Sequence, residues 1–336
     1  MGATDIGKLL ASDWPRVNLP WRTNELFSPV GALIIAVLAV STSAILVRWS
    51  GAPSLVKAFY RVLFTTLLLA PLAFTRYGTA LRSLSRRDLL VASGSGVALA
   101  LHFAAWFESL EWTSVAASVT LVQSQPVFVV LGATILLDER VGRSNAIGIG
   151  IALIGMVLMA LTDSGATGPR PLYGNTLAVI GAVMVAIYYL AGRSLRQRVP
   201  LVPYVVVVYA VCAVTLFALV LIETASTGRQ LGPTLFDYPA TEWLLFLGLA
   251  IGPGILGHTV FNWALGHLEA SIVSVSLLGE PIGSTLLAVI LLAEVPGALT
   301  LVGGAVVLGG IYITTRARTR SRGATEDAPQ PDPVTD

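Results

Sequence analysis

Apolar residues run along this chain in long unbroken stretches, not in alternation. A helix crosses a bilayer with about 20 mostly apolar residues. The pattern predicts ten such spans, at 28–47, 55–74, 88–107, 113–137, 142–161, 172–192, 203–222, 242–264, 270–293 and 296–315. A membrane β-barrel needs short alternating strands, so these runs exclude one. Before the first span the chain is polar and mixed, with Trp14 and Trp21. That segment, 1–27, reads as a loose cytoplasmic stretch or as one lying on the membrane surface through its tryptophans. It shows no short apolar core followed by a small-residue cleavage site, so no removable signal peptide is expected. The closing segment, 316–336, ends in GATEDAPQPDPVTD. It has nothing to bury and reads as a disordered cytoplasmic tail.

Composition sharpens this picture. The 336 residues are 55% hydrophobic and 12% charged, against roughly 25% charged in soluble domains. Too little polar area remains to cover a soluble surface. A soluble enzyme, a disordered chain and a nucleic-acid-binding module are excluded. The net charge of +2 draws the chain to no polyanion. The single cysteine, Cys212, lies in an apolar run as a buried thiol. It excludes an intramolecular disulfide or a cysteine-based metal site, and no cofactor is expected.

The basic residues set orientation. With the N-terminus inside, the cytoplasmic side holds Lys8, Arg16, Arg22, Arg76, Arg82, Arg86, Arg87, Arg140, Arg143, Arg193, Arg196, Arg198, Arg316, Arg318, Arg320 and Arg322. The other side keeps Arg48, Lys57, Arg61, Arg170 and Arg229. This is a positive-inside bias. Both termini are expected in the cytoplasm, and the expected location is the plasma (inner) membrane of a prokaryote, the arginine-over-lysine usage pointing to the codons of a GC-rich one.

The chain also repeats itself at an offset of 155 residues: Pro126 aligns with Pro281, Glu139 with Glu294, Gly142 with Gly297, Gly148 with Gly303 and Gly155 with Gly310. The run Ile135, Leu136, Leu137 matches Ile290, Leu291, Leu292. Each half holds five spans. An odd number makes the second half enter the membrane upside down, the inverted repeat of many secondary transporters. Glu139 lies beside Arg140 and Arg143, whereas Glu294 has no basic neighbour in sequence.

The stretch HFAAWFESLEWTSVAASVTLVQSQPVFVVLGATILLDERVG resembles the first EamA repeat of the drug/metabolite transporter superfamily. NWALGHLEASIVSVSLLGEPIGSTLLAVILLAEVPG resembles the second, and PSLVKAFYRVLFTTLLLAPLA the family's second helix, with Arg61 in it. The resemblance spans about 28–315. It implies a ten-helix carrier with a central cavity between two halves, 28–162 and 170–315. The second repeat carries Glu280 before its proline where the first has Gln125.

A carrier needs polar groups at mid-membrane, and each is costly in lipid. Glu280 lies deep in the ninth span with no basic residue within ten positions. It suits proton coupling or contact to a substrate amino group, or else it bonds a neighbouring helix. Gln123 and Gln125 sit at similar depth and suit a polar substrate or interhelical bonding. Pro126 and Pro281 are expected to kink their helices and to serve as hinges. His102 and Trp106 share one helix face, and His258, Asn262 and Trp263 make a similar cluster. Each is a substrate contact or ordinary burial, and His267 lies at a helix end. Arg61 either meets an anionic group at the outer mouth or snorkels to lipid headgroups, and snorkelling is favoured for Lys57. Tyr188, Tyr189, Ser41, Thr42 and Ser43 are candidates by depth alone. Gly248, Gly252, Pro253, Gly254 and Gly257, with Gly94, Ser95 and Gly96 in the other half, suggest broken or tightly packed helices. Gly148, Gly150, Gly155, Gly303, Gly304, Gly309 and Gly310 read as packing faces.

No HxxxH or HxxxD pair lies on one helix, and no GxxxxGK[ST] loop occurs, which disfavours an enzyme or an ATP-driven pump. The expectation is an all-α integral membrane protein of ten transmembrane helices in two inverted five-helix repeats. It would export a small polar metabolite, an amino acid among the candidates, by alternating access. The alternative is proton-coupled efflux of lipophilic drug-like cations. The expected partners are a small-molecule substrate and the lipid bilayer, with no nucleic acid.

Overall fold

The computed structural model describes residues 29–137, 142–160, 169–196, 199–257 and 276–326, and among these there are helices and connections but no strand. In chain order the helices are α1 (Pro29–Trp49), α2 (Ser54–Arg82), α3 (Arg86–Trp112), α4 (Val115–Val122), α5 (Gln125–Leu137) and α6 (Arg143–Ala160). The second part holds α7 (Pro171–Arg196), α8 (Leu201–Thr227), α9 (Leu231–Phe236), α10 (Ala240–Leu249), α11 (Gly279–Leu292) and α12 (Ala298–Glu326). Among the described residues seven helical segments are long and apolar enough to cross a membrane, and three shorter apolar helices accompany them. The chain is an integral membrane protein.

Local chemistry explains where the helices begin and stop. The α3 start is a capping box: Ser85 Oγ accepts from the Asp88 N–H at 3.1 Å, and Asp88 returns a bond to the Ser85 N–H at 3.2 Å. Two orphan donors of the first turn are thereby satisfied. The α8 end is Gly228 at φ 66°, the left-handed conformation that glycine adopts without a Cβ clash. Past α10 the helix widens into a π-helical turn at Ala250–Gly257 around Pro253. A proline has no N–H and clashes with the carbonyl four residues back.

Two spans differ from the expected outline. The fourth, expected as one helix over 113–137, is interrupted at Gln123 and Ser124, and α4 and α5 lie on either side. The last helix continues past the expected end of its apolar run at 315 and reaches Glu326. The added residues are rich in arginine and alanine, which favour helix.

The two halves interleave. Among the described residues, α1 packs mainly on α11 and the π-helical turn, α2 on α8, α3 on α7 and α8, and α6 on α12. One apolar core therefore draws on both halves, with Ile45, Phe107 and Leu110 from the first and Val208, Leu216 and Leu249 from the second. Cys212 is buried in it as a free thiol, as expected. The α6–α12 contact rests on small residues. A Cβ on Gly155 would stand 2.8 Å from the Gly303 carbonyl, and one on Gly310 2.6 Å from the Gly148 carbonyl. Those glycines are packing faces, as expected, while Gly150 and Gly309 face open space.

Candidate functional site

The interruption after α4 has a counterpart before α11. Leu277 and Leu278 form a turn, and α11 starts at Gly279. At the offset of 155, these turns fall within one residue of each other. Pro126 is thus the second residue of α5, and Pro281 the third of α11. The expected kinks in continuous helices are corrected to helix starts. The first turn has no internal partner for its N–H groups, so a proline loses nothing there.

The break brings three polar side chains together. Gln123, at the C-terminus of α4, donates its side-chain N–H to the Glu280 carboxylate in the first turn of α11. Gln125 Nε2 donates to Gln123 Oε1 at 3.0 Å. Glu280 is only 9% exposed. Its place at a helix N-terminus sets the carboxylate against the positive end of the helix dipole. Ser41 of α1 reaches the Glu280 carbonyl at 3.5 Å, and Ser284 Oγ donates to the Ser41 carbonyl at 3.1 Å. The sequence pairs Gln125 with Glu280 as repeat-mates. In space it is Gln123 that touches the carboxylate, and Gln125 sits behind it.

Arg61 belongs to the same interior region. It is 4% exposed, so neither snorkelling nor a place at an open mouth describes it. Its guanidinium lies 4.5 Å from the Phe103 ring centroid, 5.7 Å from Phe107 and 5.8 Å from Trp106, all on α3. Nη1 donates to Ser43 Oγ on α1 at 3.2 Å. Arg61 and Glu280 are close enough to interact electrostatically. The ion pairs found among the described residues are two others, Arg48–Glu294 and Lys57–Glu111.

His102 and Trp106 do share one face, with stacked rings 5.9 Å apart. His102 Nδ1 lies 2.9 Å from the Gly181 carbonyl of α7. A carbonyl only accepts, so Nδ1 carries the proton there. The Trp106 Nε1 is buried without a hydrogen-bond partner among the described residues.

A second polar cluster gathers where α1 and α3 end. Lys57 is 2% exposed, and its Nζ donates to the Val47 carbonyl at 3.0 Å and to Glu111 at 2.7 Å. Expected snorkelling is corrected, because an acceptor 54 residues away in sequence receives the ammonium. Arg48 Nη2 meets Glu294 Oε2 at 2.8 Å, and Nη1 donates to the Leu110 carbonyl at 2.8 Å. Glu294 Oε1 accepts the Val115 N–H at 2.6 Å, at the start of α4. Beside these groups a cleft of about 660 Å³ opens between Arg48, Glu111, Leu292 and Glu294. This cluster was not read from the sequence. Glu294 has no basic neighbour along the chain, and its partner comes from α1.

Other expectations resolve unevenly. Ser41 and Ser43 are buried, while Thr42 bonds its own helix at the Ala39 carbonyl. Tyr188 stacks on Tyr204, and Tyr189 is exposed. Around Gly94, Ser95 and Gly96 helix α3 is unbroken, and Gly96 packs on α8 at the Val208 carbonyl. His258, Asn262, Trp263, His267, Glu139, Trp14 and Trp21 lie outside the described residues. Among the described residues no cluster of three or more His, Cys, Asp or Glu side chains suits a metal ion.

Comparison with known proteins follows the same two-part division. The model of the EamA-like transporter family matches residues 28–161 and again 172–316. The chain is 29% identical to a probable terminal-alkyne amino-acid exporter of Streptantibioticus cattleyicolor, over 63% of this chain and 66% of that one. It is 27% identical to a pseudopaline exporter of Pseudomonas aeruginosa, over 85% of this chain and 96% of that one. A crystal structure at 23% identity superposes with a TM-score of 0.55, covering 87% of this chain and 98% of the other, and shows the same fold.

Proposed function

Because the chain belongs to the EamA-like transporter family, we propose that it is a secondary transporter that exports a small polar metabolite, amino acids first among the candidates, by alternating access. The observation that carries this reading is the hydrogen-bonded series Gln125, Gln123 and Glu280. It lies at two helix breaks that occupy equivalent places in the two halves. Broken helices whose ends face a polar site are how carriers hold a solute away from water. The exporters of similar sequence favour outward movement of an amino-acid-like solute.

In this proposal the membrane part is ten helices in two inverted five-helix repeats, 28–162 and 170–315, flanked by cytoplasmic segments 1–27 and 316–336. The protein sits in a prokaryotic inner membrane with both termini in the cytoplasm, and the Arg48 end of the bundle faces outward. Glu280 couples transport to a second ion, the proton first among candidates. Gln123, Gln125, Arg61, His102 and Trp106 border the substrate path, together with His258 and Asn262. Pro126 and Pro281 mark the breaks about which the halves move. Efflux of lipophilic cations is disfavoured by the buried Arg61 guanidinium within electrostatic range of Glu280.

The test is flux into proteoliposomes from a labelled panel of amino acids and small metabolites, with and without an imposed proton gradient. The proposal expects one compound to move, faster with the gradient, and expects Glu280→Gln to abolish the gradient's effect. A compound that moves equally in both proteins, whatever the gradient, leaves a facilitator and removes the coupling role of Glu280.

A further inference from the structure

Arg61 is expensive to keep where it is. A guanidinium has five N–H donors and no acceptor, and this one is nearly fully buried with, among the described residues, a single hydrogen bond, to Ser43. The rings of Phe103, Phe107 and Trp106 crowd around it. Ring faces attract the cation, but they do not satisfy the donors on its edge. The adjacent indole carries the same debt: Trp106 Nε1–H is buried and has no partner among the described residues. His102, anchored on the Gly181 carbonyl, stacks on that indole and fixes its plane.

Glu280 does not settle the account. It is electrostatically felt by Arg61, yet its carboxylate takes its hydrogen bond from Gln123 and no ion pair joins the two charges. The opposite charges therefore stand apart, one on each half of the chain. A solute that engages both charges would present an anion to one and a cation to the other. A carboxylate matches the guanidinium fork in two parallel bonds, and it leaves lone pairs for an indole N–H.

We propose that Arg61 and Trp106 form a carboxylate subsite opposite Glu280, and that this pair of subsites makes the protein select zwitterions over the corresponding amines. The inference rests on the export reading and assigns the polarity of its substrate. Phe103 and Phe107, which hold the guanidinium plane, are positioning residues.

The experiment measures binding of labelled L-leucine and L-phenylalanine to the purified full chain by scintillation proximity. Competitors are the same amino acids, their carboxamides, which lack the carboxylate, and their N-acetyl derivatives, which lack the ammonium. On the native protein each blocked form is expected to compete about tenfold to hundredfold more weakly, the worth of a charge-assisted hydrogen bond. This comparison needs no variant to fold. Arg61→Gln is expected to erase the preference over the carboxamide and to keep the preference over the N-acetyl form. Glu280→Gln is expected to do the reverse, and Arg61→Lys to recover part of the loss. Equal competition by acid and carboxamide on the native protein overturns the carboxylate subsite while leaving export intact. Flux of an uncharged or purely cationic panel compound, with no binding of either amino acid, overturns it likewise. Absence of any flux across the panel removes the export reading and this inference with it.

Discussion

Replacing Glu294 by glutamine tests whether the cluster around Arg48 holds its end of the bundle together. The native carboxylate bonds Arg48 at 2.8 Å and caps α4 at the Val115 N–H at 2.6 Å. It thus ties α1, α4 and α11 together. A hydrogen bond to a charged group contributes about 1.5–3 kcal/mol, and a partly exposed ion pair roughly 0.2–1 kcal/mol. Glutamine keeps an oxygen for Val115 but loses the charge. The expected loss is about 1–2 kcal/mol, which is about fivefold to thirtyfold in the population of the opened end. Ala44 makes a suitable reporter. It is 1% exposed, lies one turn below Arg48, and the native Cys212 is buried and silent. With Ala44→Cys in detergent, maleimide labelling is expected to accelerate by that factor in Glu294→Gln. Arg48→Gln should give a similar rise, and the double variant little more than either alone. Labelling that stays within about twofold of the parent, in folded protein, refutes the view that this pair holds the end shut.

Two further outcomes concern the frame around the site. Gly155→Ala should lower thermal stability in detergent by about 1–3 kcal/mol through overpacking against α12. Gly150→Ala, on the same helix with open space beside it, should be neutral or stabilising, and equal losses at both positions would contradict the packing account. Ala293, at φ 52°, holds the left-handed turn that delivers Glu294 to its partners. Ala293→Gly should raise the melting temperature by relieving roughly 1–2 kcal/mol of backbone strain. A lowered melting temperature would show that the turn is not strained.

The outline of the fold was legible because a bilayer imposes a length on every crossing helix, and the apolar runs carry that length openly. The paired breaks were half legible. Pro126 and Pro281 mark equivalent places, but a proline is equally compatible with a kink and with a helix start, and the structure shows starts. Depth in a span could not reveal partners. Lys57, Arg61 and Glu294 each look alone along the chain. Their acceptors or aromatic neighbours arrive from other helices: from α1 and α3 of the same half for Lys57 and Arg61, and from α1 and α4 of the other half for Glu294. The same holds for Glu280. Its surroundings look purely apolar from its own helix, whereas Gln123 comes from the break after α4 and Arg61 from α2. The polar cluster built on Arg48 and Glu294 has no signature within either segment and needed the fold to assemble it.

The most direct measurement of the central claim is counterflow. Proteoliposomes holding the native protein would be loaded with an excess of an unlabelled amino-acid mixture and diluted into a trace of the labelled mixture. A carrier that exposes one site alternately to each side accumulates label transiently above equilibrium, and that overshoot is the predicted result. Label that only equilibrates, or that never enters, would contradict a solute carrier built around the Gln123–Glu280 site.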